Sequence, residues 1–140
     1  MGEYRKIPAF LMRGGTSKGA YLMMEDLPAD AALRDQAILS IYGSPDARQI
    51  NGIGGADPLT SKVALIAPSQ REDADVDYTF GYVGIKDAVI DYEGNCGNIS
   101  SGVGPFAIAK GLVSAEEPIT RVRIFNTNTN KLIEASIPVK

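Results

Sequence analysis

Residues 101–113, SGVGPFAIAKGLV, form the most apolar helical segment of the chain, and the predicted architecture is built around it. Drawn as a helix, it is apolar around almost its whole circumference, apart from Lys110, and such a helix is normally buried on every side. Gly102, Gly104 and Gly111 are unfavourable in a helix interior, so they indicate close packing against neighbouring strands. We therefore predict a short helix over this stretch, at the centre of the molecule.

Strands are predicted on both sides of that helix. They lie near 5–12, 19–24, 61–67, 76–84 and 86–92, followed by a hairpin of 119–126 and 131–138 that turns at Asn-Thr-Asn. A further helix is predicted at 29–42, where Leu33, Ala37, Ile38 and Ile41 recur at helical spacing and Gly43 follows as a stop. This order predicts an α+β fold in which a strand-rich mixed sheet wraps around one central helix.

Composition excludes several classes of site. The chain has 140 residues and a net charge of -3, without a basic stripe, which argues against a nucleic-acid partner. It has no His and one Cys, which excludes a Ser-His-Asp triad, a Cys-His dyad, an intrachain disulfide and a cysteine-cluster zinc site. Proton chemistry would have to use Lys, Cys, Asp, Glu or Tyr.

The sequence also gives expectations for location. No stretch approaches the roughly 18 apolar residues of a membrane span, and the N-terminus lacks the apolar core of a signal peptide. We therefore expect a cytoplasmic protein without a membrane partner.

The first motif is MRGGTSKG, residues 12–19, which lies between two predicted strands. Its glycines expose backbone N–H groups, and hydroxyl and cationic side chains follow, which is the composition of a cradle for carboxylate or phosphate. An ordinary glycine-rich hairpin turn is the alternative. The residues expected to bind an anion are Arg13, Gly14, Gly15, Thr16, Ser17 and Lys18.

The second motif, NGIGGADPLTSK at 51–62, ends on Lys62, where the apolar strand VALIA begins. A lysine beside a glycine-rich loop and a buried strand can be desolvated, and desolvation favours the neutral amine that acts as a base. The alternative is a solvated lysine at a strand end.

The third motif is EGNCGNISSG at 93–102, in which Cys96 precedes the predicted central helix. A helix N-terminus stabilises negative charge, both on a thiolate and on the carboxylate of a bound substrate. The alternative is a buried and inert cysteine.

Taken in order, these motifs resemble the N-terminal portion of the PrpF family. The segments RGGTSKG at 13–19, GGADPLTSK at 54–62 and GNCGNISSGVGPFAIAKGLV at 94–113 carry the resemblance, which runs from about residue 5 to the end of the chain. That family includes methylaconitate cis-trans isomerases and 4-oxalomesaconate tautomerases, and it has the diaminopimelate-epimerase-like fold.

The resemblance implies cofactor-independent and metal-independent proton transfer at carbon, on a small unsaturated tricarboxylate. Lys62 matches the catalytic lysine of the family and Cys96 matches the cysteine that opens its central helix, so the two become the implied proton-transferring pair. The segment 13–18 together with Gly97 and Asn98 becomes the implied carboxylate-binding set.

The chain departs from the family in length, because family members are well over twice as long. We therefore expect residues 1–140 to be the N-terminal domain of a two-domain isomerase, with the second half absent and the isolated chain inactive. One alternative is a non-catalytic carboxylate-binding half-domain that forms a homodimer. Another is an amino-acid epimerase or racemase of the same fold, although those enzymes use two cysteines.

Overall fold

The computed structural model describes residues 6–94 and 96–139, which form a mixed sheet with helices on both of its faces. The strands are β1 (Phe10–Gly14), β2 (Ser17–Met23), β3 (Lys62–Pro68), β4 (Val76–Val83), β5 (Ile90–Asp91), β6 (Ile119–Asn126) and β7 (Lys131–Pro138). The helices are α1 (Ala31–Tyr42), α2 (Gly97–Ser100) and α3 (Val103–Ala109).

Parallel and antiparallel pairs are mixed in this sheet. Its order is β1-β2-β3-β4-β6-β7, and β5 pairs with β4 to one side. Strands β2 and β3 run parallel, as do β4 and β6, whereas the β1–β2, β3–β4 and β6–β7 pairs are antiparallel. The prediction of a mixed sheet is therefore confirmed.

Both faces of the central strands are buried, because successive side chains of a strand point to opposite faces. In β2, Tyr21 and Met23 join one core together with α2 and α3, and we call this the inner core. Ala20 and Leu22 join a second core together with α1, and we call this the outer core. The two cores place each helix on a fixed side of the sheet.

The buried central helix is also confirmed, although it is shorter and broken. Helix α2 contacts β1, β2 and β3, whereas α3 contacts β6 and β7, so the sheet curls around them. The break falls near Gly102, where a Cβ would lie 2.3 Å from the hydroxyl oxygen of Tyr21. The prediction of one helix to residue 113 was wrong, because Gly111 has φ 73° and turns the chain away.

Two other predicted elements differ. The strand expected at 86–92 is reduced to β5, because Gly84 and Val89 close a tight loop through a backbone hydrogen bond of 2.8 Å. The strand expected at 5–12 begins at Phe10, and residue 5 lies outside the described residues. Helix α1 forms as predicted and ends at Gly43, with φ 79°, but Leu33 is exposed and does not belong to its buried stripe.

No helix in the described part of the chain is long and apolar enough to cross a membrane.

Candidate active site

Cys96 occupies the N-cap position of α2, with its thiol directed into the first turn of the helix. The Ile99 N–H donates a hydrogen bond to its Sγ at 3.4 Å, and the residue is 8% exposed. A thiol in this position replaces the oxygen of an ordinary N-cap side chain. The N-cap geometry therefore favours negative charge on the sulfur.

Lys62, the first residue of β3, reaches Cys96 across the sheet. Its Nζ lies 2.8 Å from the Ser17 Oγ and 3.5 Å from the Cys96 Sγ, and the two acceptor atoms are 3.9 Å apart. Ser17 is the first residue of β2. Because β2 and β3 are parallel, their first residues meet at the same end of the sheet, and α2 begins above them.

Five influences act on the thiol of Cys96, and their balance lowers its pKa. Burial is the largest and raises the pKa. Against it act the hydrogen bonds from the Ile99 N–H and the Ser17 hydroxyl, and the positive charge and hydrogen bond of Lys62. Together these three donors outweigh the desolvation, so Cys96 holds a thiolate more readily than a free thiol does.

The turn between β1 and β2 packs directly on α2. Thr16 donates its backbone N–H to Asn98 Oδ1 at 3.4 Å. A Cβ on Gly14 would lie 2.3 Å from the Asn98 carbonyl oxygen, and one on Gly15, which has φ 55°, would lie 2.1 Å from Asn98 Oδ1. These two glycines therefore allow the hairpin to touch the helix that carries Cys96.

The structure does not bring the whole predicted set together. Arg13 and Lys18 pair with each other across β1 and β2, and Lys18 directly follows Ser17 in β2. Because successive side chains of a strand point to opposite faces, Arg13 and Lys18 lie on the face of the hairpin opposite to Ser17 and the Lys62–Cys96 pair. Both are exposed, and the Arg13 Nε donates to the Gly15 carbonyl at 2.8 Å. Of the predicted set, Ser17 contacts the pair directly and Gly97 follows Cys96 in the chain, whereas Gly14, Gly15 and Thr16 lie against Asn98 in α2.

The glycine-rich loop before Lys62 is held by a buried glutamine that the sequence did not single out. The Gln49 Nε2 donates to the hydroxyls of Ser44 and Ser61 at 2.9 and 3.0 Å, and its Oε1 accepts from the Ala56 N–H at 2.7 Å. Ser61 in turn donates to the Val83 carbonyl at 2.6 Å. Gln49 thus links this loop to the residue immediately before Lys62.

Two tyrosines support the site, and no feature of the sequence marks their hydroxyls. Tyr21, from the inner core, donates to the carbonyl of Ile99, the residue whose N–H reaches Cys96. Tyr42, from the outer core, donates to the carbonyl of Lys62 itself. A tyrosine in an apolar periodic pattern reads only as a packing residue, because periodicity carries no information on where a hydroxyl points.

The arrangement places a thiol with a lowered pKa beside the amino group of Lys62, so a proton acceptor and a proton donor lie next to each other at the start of α2. Such a pair can take a proton from one carbon of a bound substrate and return one to another. The described residues contain no group of three or more His, Cys, Asp or Glu side chains that could hold a metal ion.

Comparison with known proteins identifies relatives that are named as isomerases and tautomerases. The family model described as PrpF protein matches residues 4–140. The chain is 62% identical over 140 residues to the 3-methylitaconate isomerase of Eubacterium barkeri, and 60% identical over 138 residues to the 4-oxalomesaconate tautomerase of Pseudomonas putida. These matches cover 100% and 99% of this chain but 37% and 38% of those relatives, so the chain spans little more than a third of their length.

Solved structures show the same fold. A crystal structure of methylitaconate-delta-isomerase superposes with a TM-score of 0.94 at 64% identity, covering 96% of this chain and 60% of that one. A hydroxyproline epimerase from Agrobacterium vitis superposes with a TM-score of 0.61 at 16% identity, covering 94% of this chain and 37% of that one. The second likeness concerns the fold alone. The predicted epimerase-like fold is confirmed.

Proposed function

Because the chain belongs to the PrpF family, we propose that it is the N-terminal domain of an isomerase that moves a proton on small unsaturated tricarboxylates such as methylaconitate or oxalomesaconate. The relatives named as isomerases and tautomerases support the reaction class. The observation that carries the proposal for this chain is the 3.5 Å contact between Lys62 Nζ and Cys96 Sγ.

The lowered pKa of Cys96 supports the thiolate as the group that removes the proton. The thiolate takes a proton from the carbon next to the double bond, and the released electron pair delocalises through the double bond onto a carboxylate. The Lys62 ammonium then donates a proton at the far end of the delocalised system, which shifts the double bond. A proton passing from the Cys96 thiol to the Lys62 amine restores both groups, so that no redox step is involved.

The substrate carboxylates would be held by the groups around this pair. The turn at 14–16, Ser17, Gly97 and Asn98 carry backbone N–H groups, hydroxyls and an amide beside α2, whose N-cap is Cys96, although the Thr16 N–H already bonds to Asn98. Such donors stabilise the charge that develops on a carboxylate during proton removal. Arg13 and Lys18 can reach a carboxylate only around the end of the hairpin.

The proposal is tested by proton NMR of a methylaconitate incubated in D2O with the complete protein that contains this chain. We expect deuterium to enter the substrate and an isomer to appear. Lys62→Met and Cys96→Ser should each slow both processes about a hundredfold or more, the typical contribution of a positioned acid or base.

Lys86→Met is the matched control, because Lys86 is exposed in the loop before β5 and is distant in sequence from the three motifs. It should retain the wild-type rate. Deuterium entry at the same rate in Lys62→Met and the wild type would contradict the proposed roles.

We also propose that an apolar surface of the loop before β3 is covered in the working protein. Ile50, Ile53 and Leu59 are 61%, 42% and 49% exposed in this loop, and exposed apolar side chains are stabilised by burial in an interface. In the isolated chain a second copy would cover them, forming a homodimer, and in a longer chain a C-terminal domain would do so. Sedimentation equilibrium of the isolated chain, as wild type and as Ile50→Glu, measures this association.

We propose the cytoplasm as the location, in keeping with small carboxylate substrates. Cell fractionation followed by immunodetection tests this.

A further inference from the structure

Tyr42 is the last residue of α1, on the outer face of the sheet, yet its hydroxyl reaches into the sheet itself. The residue is 1% exposed and its ring lies in the outer core. The Ala20 N–H donates to the hydroxyl at 3.0 Å, and the hydroxyl donates to the Lys62 carbonyl oxygen. One side chain from a helix therefore joins β2 to β3.

The hydroxyl lies where β2 and β3 pair beside Lys62. Gly19 pairs with Lys62 and Ala20 with Val63 in the parallel β2–β3 ladder. In such a ladder the amide that follows one member of a pair bonds to the carbonyl of its partner, which here joins the Ala20 N–H to the Lys62 carbonyl. The Tyr42 hydroxyl contacts both of these backbone groups and so links the two strands at Lys62.

We infer that Tyr42 is a positioning residue for Lys62: its hydroxyl, held between β2 and β3, fixes the Lys62 backbone where the ammonium group reaches both Ser17 and Cys96. The residue before Lys62 is held independently, because the Ser61 hydroxyl donates to the Val83 carbonyl at 2.6 Å. Tyr42 holds the side of Lys62 that faces β2. Burial raises the pKa of the Tyr42 hydroxyl, so it remains a donor across the working range of pH.

The inference rests on the proposed role of the Lys62–Cys96 pair, but its test reads the thiol directly and does not depend on isomerase activity. The chain has one cysteine, so labelling with [13Cβ]cysteine gives a single NMR signal that titrates with the Cys96 thiol. Cys96 lies near the hydroxyls of Tyr21 and Tyr78, and its charge contributes to raising their pKa. Burial raises the pKa of Tyr21 to about 12 and that of Tyr78 further, so both stay neutral during the titration.

Tyr42→Phe removes only the hydroxyl. If Lys62 then shifts away from the sulfur, the pKa of Cys96 rises, and the thiolate fraction below the titration midpoint falls about three- to tenfold. Lys62→Met should raise the pKa of Cys96 as well. In the Lys62→Met background, Tyr42→Phe should add nothing, because the group that it positions is gone.

Tyr92→Phe is the matched control. The Tyr92 hydroxyl donates to Asp35 on the same helix, at 2.5 Å, and has no bond to β2 or β3. It should leave the titration unchanged. An unchanged midpoint in folded Tyr42→Phe, or an equal rise with Met at position 62, would overturn the inference.

A measurement on the unmodified chain covers the case in which Tyr42→Phe does not fold. The two contacts of the Tyr42 hydroxyl predict that its proton exchanges slowly with solvent and gives a nuclear Overhauser effect to the Ala20 amide proton. A hydroxyl proton that exchanges freely and shows no such effect would contradict the position of Tyr42 between β2 and β3.

Discussion

Cys96 receives its donors from three separate elements. The N–H of Ile99 belongs to α2, the hydroxyl of Ser17 to β2 and the ammonium of Lys62 to β3. None of these donors is available to the thiol in an unfolded chain. The preference for thiolate is therefore produced by folding, and by linkage it must feed back on folding stability.

The first prediction concerns this linkage. Folding lowers the pKa of Cys96, so between the folded value and the ordinary thiol value of about 8.5 the unfolded chain binds more protons. The stabilisation by Cys96 is thus complete above about pH 8.5 and is lost as the pH falls through the folded value. The free energy of unfolding of the wild type, relative to Cys96→Ser, should rise with pH over this interval, as measured by urea denaturation.

Taking the difference between the two proteins cancels the titration of all other groups that the substitution leaves unaffected. A difference that is flat between pH 6 and 9, or that falls with rising pH, would contradict a lowered thiol pKa.

At this scale the sequence could identify the reactive residue types but not their contacts. Lys62 and Cys96 stood out because each borders a glycine-rich segment, although each also had an inert interpretation. Which interpretation holds depends on the parallel pairing that brings 17 next to 62, and pairing between distant strands is not encoded in local periodicity. Arg13 and Lys18 were chosen as part of the segment 13–18, from its composition and from the family resemblance, and neither indicates that strand alternation places their side chains on the other face of the hairpin.

Among the elements, β4 shows how a side chain can complete a sheet. Strand β6 pairs with β4 only along Val76–Tyr78, and beyond that the turn after β6 takes over. Asn128 in that turn accepts from the Phe80 N–H at 2.7 Å and donates to the Phe80 carbonyl at 2.8 Å, so its amide acts as one more peptide of the missing strand. It also donates to the Tyr92 carbonyl, which joins β4 to the segment leading to Cys96.

The second prediction follows from the Asn128 side chain, which takes the place of a neighbouring strand beside Phe80. Asn128→Ala leaves the backbone groups of the buried Phe80 without partners, and should lower the free energy of unfolding by about 2–3 kcal/mol, as measured by urea denaturation. Asn130→Gly, in the same turn, is the control, because Asn130 is exposed with φ 57°, which suits glycine. Equal stability losses in both variants would mean that only the turn matters.

The hairpin itself was predicted with its observed bounds, because Asn-Thr-Asn between two alternating strands is a strong turn signal. The role of Asn128 could not be read, since turn propensity says nothing about which neighbour the side chain meets. The single helix predicted to residue 113 failed for a related reason. The close approach of Gly102 to Tyr21, which marks the break, depends on a contact across more than eighty residues of sequence.

For the whole molecule, the position of a strand in the sheet predicts how strongly its backbone amides are protected from hydrogen exchange. Strands β2 and β3 have neighbours on both sides and a core on each face, whereas β7 is an edge strand with alternate residues exposed. Solvent reaches a strand through its unpaired edge and its uncovered face. The central strands should therefore open only when most of the molecule unfolds.

The third prediction is that amide hydrogen exchange follows this order. Peptides covering 17–23 and 62–68 should exchange at least about tenfold more slowly than one covering 131–138, as measured by mass spectrometry. Equal protection of all three would indicate a single cooperative opening and would contradict the order.

The overall fold was the part most accessible from sequence. A helix that is apolar on nearly all sides requires a surrounding layer, and strands before and after it supply that layer, so a curled sheet follows from the composition of one short stretch. The order of the strands does not follow, because both parallel pairs join strands that are separated by other elements.

The two-sided burial of β2 and β3 has a consequence for how these strands can change over time. Alternate positions of each strand carry side chains for the inner core, and the positions between them carry side chains for the outer core. Inserting or deleting one residue would exchange the two faces of the strand beyond that point. Lys62 would then point toward α1, and Val63 would point toward Cys96. We therefore expect changes in chain length to be tolerated in the loops, whereas β2 and β3, which bear the site, should tolerate substitutions but not insertions or deletions.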